Sequence, residues 1–158
     1  MEIIKFRAKP TSTIPEDIIE DIGEDYKDGF VYGQINYDDS GEPWILSKIS
    51  ESNEDFILPH WWTPVIAETI GQNIGISDMS ENPQELYKGD IVEIAFLHPR
   101  DINYILFRMN KEIELEKGAY GIRWLGQLKS FSQLKPNVKF VKIGNFYDNP
   151  AMVYSLGY

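Results

Sequence analysis

His60 and His98 are the two side chains whose ordinary pKa suits proton transfer near neutral pH. His60 follows Pro59, His98 precedes Pro99, and 38 positions separate them. With no cysteine in the chain, a zinc site would need both histidines plus carboxylates, and this spacing has no ligand pattern. The same absence removes disulfides and a cysteine nucleophile. No Gly-x-Ser-x-Gly elbow presents a serine. Gly71-Gln72-Asn73-Ile74-Gly75 has paired glycines but neither the lysine nor the serine of a phosphate loop. Acids abound, as at Asp38-Asp39, yet a general acid needs burial or a like charge beside it. The residues give an enzyme no positive sign. The expectation is a non-catalytic protein with no cofactor and no metal site.

Aromatic residues are the larger resource: four Trp, nine Tyr and eight Phe. Trp61-Trp62 and the Tyr120/Trp124 pair are candidates for stacking on a ligand or a nucleobase. In a strand, Tyr120, Ile122 and Trp124 share one face, a pattern that favours core over platform. Lys88, Arg108, Arg123, Lys139 and Lys142 supply candidate phosphate contacts in the second part of the chain.

Those residues sit in an uneven field. The 158-residue chain carries a formal charge of −10. Residues 1–85 hold five bases against 18 acids, a balance of −13, and residues 86–158 hold ten bases against seven acids, a balance of +3. Seven of the acids fall between Pro15 and Gly29. Non-specific coating of nucleic acid or anionic membrane by the whole surface is therefore excluded. The N-terminus has no apolar run of signal-peptide length, and nowhere do 18 apolar residues follow one another. A soluble, cytoplasmic protein that does not engage membrane is expected.

The elements that must position these residues are mostly short strands. Ile4, Phe6 and Ala8 alternate with Lys5, Arg7 and Lys9, the period of a half-buried strand. After Pro10, Ser12 or Thr13 could cap a short helix over Glu16–Ile22 that stops at Gly23; an acidic loop is equally open. Gly29–Ile35, Trp44–Leu46 and Phe56–Leu58 read as strands separated by polar turns. Beyond Pro59 and Pro64, strands are expected over Ile91–Phe96, Ile105–Met109, Ile113–Leu115, Tyr120–Leu125 and Val138–Gly144. Glycine turns about every ten residues point to a mainly β chain, a sandwich or a small barrel. The expected division is an acidic, β-rich region over 1–63 and a barrel over 64–158, packed as one compact unit.

Several separated segments resemble one family. Ile4-Lys5-Phe6-Arg7-Ala8, Gly29-Phe30-Val31-Tyr32-Gly33 and Glu68–Gln72 followed by Gly75-Ile76-Ser77-Asp78 are similar to blocks of the YopX family of phage and prophage proteins. So are Leu86-Tyr87-Lys88-Gly89-Asp90-Ile91-Val92, Gly118-Ala119-Tyr120-Gly121-Ile122 and Ile143-Gly144-Asn145-Phe146-Tyr147-Asp148-Asn149-Pro150. The chain departs from the pattern at Ser80–Gln84 and in an enlarged hairpin over 98–117. The resemblance implies a mainly β fold with an SH3-like barrel in the C-terminal part, a mobile-element origin and residence in a bacterial cytoplasm. It brings no catalytic residues with it.

Within the shared segments, the residue chemistry favours architecture over ligand binding. Gly89 and Asp90 form a tight turn into a strand, and Gly118 and Gly121 frame a hairpin. Gly144, Asn145, Asp148, Asn149 and Pro150 make a dense turn that side-chain to backbone bonds can tie down. The functional expectation is an accessory protein that binds another protein. The alternative is a nucleic-acid-binding small barrel using Lys88, Arg108, Arg123, Lys139 and Lys142 with nearby aromatics; Trp61 and Trp62 are further binding candidates. Exposed edge strands also leave self-association open.

Overall fold

The computed structural model describes residues 5–47, 49–52, 57–59, 61–116, 118–124, 126–134 and 137–154. Strands take up 56% of it and helices 15%, so the chain is mainly β as its composition and turn spacing imply. Ile4, Phe56 and His60 lie outside the described residues.

The chain forms two compact units, Met1–Asn73 and Ile74–Tyr158. The first unit runs past Pro59 and Pro64 to Asn73, because the strand that holds Pro64 and the start of the next one pair into its sheet. The first unit holds β1 (Phe6–Ala8), α1 (Glu16–Ile22), β2 (Tyr26–Lys27), β3 (Phe30–Tyr37), β4 (Pro43–Leu46), β5 (Ile49–Ser52), β6 (Ile57–Pro59) and β7 (Trp62–Pro64). β8 (Gly71–Ser77) begins in the first unit and ends in the second. The second continues with β9 (Glu85–Tyr87), β10 (Asp90–His98), β11 (Asp101–Glu112), β12 (Glu114–Glu116), β13 (Ala119–Trp124), β14 (Gln127–Ser130), α2 (Phe131–Leu134), β15 (Val138–Asn145) and α3 (Ala151–Tyr154).

In the first unit the strands run β7-β4-β3-β1-β8, with β2 against β3. β1 lies between β3 and β8, antiparallel to both. That central position changes the expected one-sided burial. Arg7, on the charged face of the alternation, is buried, and its guanidinium carbon stands 4.4 Å from the centre of the Phe30 ring. Burial against a π face favours a delocalised cation over an ammonium. Ala8, Ile14, Ile22, Val31, Ile45, Trp61 and Val65 make this unit's core.

The acidic stretch resolves as a helix. Ile22 is buried and Ile19 packs on the core, while Glu16, Asp17, Glu20 and Asp21 are exposed. Neither Ser12 nor Thr13 caps it; Pro15 takes that place with no side-chain bond, and its carbonyl accepts the Ile18 and Ile19 amides. Gly23 closes the helix at φ 65, as its position implies.

The second unit holds two three-stranded sheets, β11-β10-β15 and β12-β13-β14. Val92 and Ile94 of β10, Met109 of β11, and Val138 and Phe140 of β15 join Leu86, Ile113, Ile122 and Phe131 in its core. At about 1.5–3 kcal/mol for each fully buried large side chain, this cluster is the main stabiliser of the unit. Tyr120 and Trp124, on either side of Ile122 along β13, pack against it. β10 and β11 extend well beyond the core as the enlarged hairpin, and their register slips between Phe96 and His98.

Candidate functional site

The β4 residues Trp44 and Leu46 point to the face opposite buried Ile45, by strand alternation. Cross-strand partners extend that face. Asn36 of β3 and Pro64 of β7 flank Trp44, while Gln34 and Trp62 flank Leu46. Trp62 belongs to the edge strand and is 56% exposed; Tyr37, at the end of β3, is 58% exposed. Asn36, Tyr37, Asp38, Trp44, Leu46 and Trp62 line a shallow groove of about 240 Å³. The adjacent tryptophans thus separate, since alternation sends Trp61 into the core and Trp62 to the groove.

One wall of the groove is fixed by Asp38. Its Oδ2 accepts the Trp44 Nε1 proton at 3.0 Å. Its Oδ1 accepts the Ser40 amide at 2.9 Å, the Ser40 hydroxyl at 3.0 Å and the Glu42 amide at 2.9 Å. The Trp44 bond, with the Glu42 and Ser40 bonds behind it, holds the carboxyl below its ordinary value of 3.8. The turn therefore presents a fixed negative charge beside three aromatic rings, with Asp39 and Glu42 exposed next to it.

The basic candidates of the second unit do not form one face. Arg108 and Lys139 are both opposite Ala95, on either side of β10, and so share a face. Glu93 lies 3.8 Å from the Arg108 Nε. Lys142 is opposite buried Val92, and its ammonium stands 3.4 Å from Asp90, whose side chain is fully buried. Arg123 is bracketed by carboxylates: Glu116 bonds one terminal nitrogen, and Glu114 is 3.6 Å from Nε. The two glutamates raise the Arg123 pKa, Glu116 most strongly.

Arg123 opens onto a cleft of about 390 Å³ with Lys111, Glu112, Glu114, Trp124, Gly126 and Val153. Burial and then the Glu114 charge push the Glu112 carboxyl up, against an opposing pull from Lys88. A raised acid in a cleft is what sequence could not show for any carboxylate. Glu112 is half-buried at the end of a strand whose apolar residues gave it no distinction. Among the described residues that line the cleft there is no serine, threonine or cysteine.

The shared-motif residues hold loops together. Gly89 sits at φ 93, and a Cβ there would meet the Tyr147 ring at 3.1 Å. The Asp90 Oδ2 accepts the Tyr87 amide at 2.8 Å. The Asn145 Nδ2 donates to Asp148 at 3.0 Å, and the Asp148 amide returns a bond to the Asn145 Oδ1 at 2.9 Å. Asn149 Oδ1 accepts the Asn145 amide beside Gly144, and the Pro150 carbonyl starts α3 by accepting the Val153 amide. Gly118 takes the turn between β12 and β13, and Gly121 faces the β14 backbone.

His98 bonds the Arg100 amide through Nδ1 in the hairpin turn. Among the described residues, no cluster of three or more His, Cys, Asp or Glu could hold a metal ion, and no helix is long and apolar enough to cross a membrane.

Fold and surface together define a two-unit, mainly β protein with an acidic aromatic groove on one unit and a motif-tied β unit beside it in sequence. The chain belongs to the YopX family: the family described as YopX protein matches residues 31–153. No curated protein and no solved structure matches the chain.

Proposed function

We propose that the chain is a phage or prophage accessory protein of the bacterial cytoplasm that acts by binding another protein, through the groove of Tyr37, Trp44, Leu46 and Trp62. The observation that carries this reading is the exposure of Trp62 and Tyr37, each more than half open, over an aromatic and aliphatic floor. Exposed tryptophan and tyrosine around a pocket are the residue types that dominate binding energy in protein interfaces. Asp38, Asp39 and Glu42 beside the groove, and the −13 balance of residues 1–85, select a basic partner segment. A lysine or arginine head over Trp62 would gain about 0.5–1 kcal/mol at such an exposed site. The acids on the outer face of α1 extend the same preference. In this reading the second unit is an SH3-like barrel that serves as scaffold.

The full chain, immobilised, is offered a bacterial lysate beside its Trp62→Ala and Tyr37→Ala variants. Loss of about tenfold or more of a retained protein in both variants supports the groove, at the scale of a moderate interface anchor. Equal retention by all three contradicts it. Replacing Glu16, Asp17, Glu20 and Asp21 with amides tests the helix contribution separately.

A nucleic-acid reading has one observation in its favour, the shared face of Arg108 and Lys139. The bracketing of Arg123 and the inward pairing of Lys142 leave that face with few phosphate contacts. Salt-sensitive retention of DNA or RNA by the full chain, lost on Lys139→Ala, would favour it.

A further inference from the structure

Eight consecutive residues of β11, Asp101–Arg108, are exposed; Phe107 stacks on Phe96 and lies beside Trp124, while outward of it the strand leaves the core. Ile102, Tyr104, Ile105, Leu106 and Phe107 are between 37% and 74% exposed. β11 is an edge, with β10 as its neighbour in the order β11-β10-β15. Its run Ile102-Asn103-Tyr104-Ile105-Leu106-Phe107 has no charge, proline or glycine. Sheet edges are ordinarily blunted by lysine, proline or a covering loop, because unpaired amides and carbonyls beside apolar side chains recruit another strand. Here the register shifts near Leu97, and Arg108 and Lys111 follow the apolar run along the strand.

We propose that this edge is the contact between two copies of the chain, formed by antiparallel pairing of β11 with β11. Two features select a second copy. The apolar run has Asp101 at one end and Arg108 at the other, so antiparallel self-pairing sets the acidic end of each copy beside the basic end of the other. Parallel pairing would set like beside like. The five exposed side chains present about 500 Å² per copy, at roughly 200 Å² for a fully exposed large side chain. Two copies thus hold about 1,000 Å² of apolar surface from which the pairing draws, beside the backbone of the two edges. The symmetry closes as a dimer because the same patch serves both sides.

The chain has no cysteine, which permits a direct test on the 158-residue chain. Asn103→Cys, Tyr104→Cys and Ile105→Cys variants, each with a single thiol, are oxidised mildly alongside Asp39→Cys. At least one of the three forms a disulfide-linked dimer, since paired strands bring Cα atoms within bonding range, and Asp39→Cys does not. In parallel, sedimentation of the wild type across a dilution series shows a dimer that weakens by about tenfold or more in the double variant Ile102→Lys, Leu106→Lys. A wild type that stays monomeric at every concentration overturns the proposal. So does a dimer that survives the lysine variant with no cross-link at 103, 104 or 105. A monomer that floats with phosphatidylcholine/phosphatidylglycerol vesicles through this hairpin also overturns it, and assigns the patch to a lipid surface.

Discussion

The Lys142 backbone N–H donates to the Asp78 carboxylate at 2.9 Å, joining β15 to the turn after β8 across 64 residues of sequence. Asp78 also accepts the Gln84 amide and the Ser80 hydroxyl, each at 2.8 Å. Burial raises its pKa, but these bonds outweigh burial and hold the carboxyl below its ordinary 3.8. The ionised form is therefore favoured by folding. Its contribution is complete above pH 3.8 and is lost as pH falls through the lower, folded value.

Asp78→Ala is accordingly expected to cost about 2–4 kcal/mol, from several charge-assisted bonds partly replaced by water. Urea unfolding at neutral pH reads this loss. Repeated down to pH 3, the wild type should lose more stability than Asp78→Asn does. Parallel acid profiles for the two would contradict the assignment.

Lys142 and Asp90 form a pair whose acid is fully buried. Lys142→Met leaves that carboxylate with less compensation and should cost about 3 kcal/mol, whereas adding Asp90→Asn to it should recover part of the loss. Lys139→Met, on an exposed site, should change little. Thermal melts of the wild type, Lys142→Met, Asp90→Asn and the double variant close the cycle, with Lys139→Met as the control.

The hairpin of β13 and β14 depends on a missing side chain. A Cβ on Gly121 would sit 2.2 Å from the Lys129 carbonyl oxygen, so Gly121→Ala must push two backbones apart. A cost of about 1–3 kcal/mol is expected. Gly118, at φ 78 with nothing near its Cβ position, should accept Asn with little loss. Reversal of that order in urea midpoints would refute the packing account.

Much of this arrangement is legible in the residue pattern. The β-branched run Ile91–Phe96 and the alternation Val138–Gly144 fall inside observed strands with nearly the same ends. Tyr120, Ile122 and Trp124 lie in or against the core as their shared strand face implies. β8 has no strand signal of its own, since Gly71 and Gly75 interrupt it, and tertiary pairing with β1 holds its start extended. The burial of Arg7 is not legible in the alternation, which does not say whether a strand is covered on both sides. The groove was half legible. Trp62 stood out as an aromatic, but its separation from Trp61 depends on strand phase, and Tyr37 and Asp38 reach it only through the β3–β4 pairing.

That separation has its own consequence. Trp61→Ala empties a core position and should cost about 3–5 kcal/mol. Trp62→Ala, on the exposed edge, should stay within about 0.5 kcal/mol of the wild type. Chemical denaturation of both variants measures the contrast.

The groove as a receptor for a basic segment is tested most directly by tryptophan emission of the full chain during titration with an arginine-rich peptide and a glutamate-rich peptide of equal length. A saturable change with the arginine peptide, absent with the glutamate peptide and abolished in the stable Trp62→Ala variant, is the predicted result. An equal response to both peptides, or an arginine response that survives Trp62→Ala, would contradict the account.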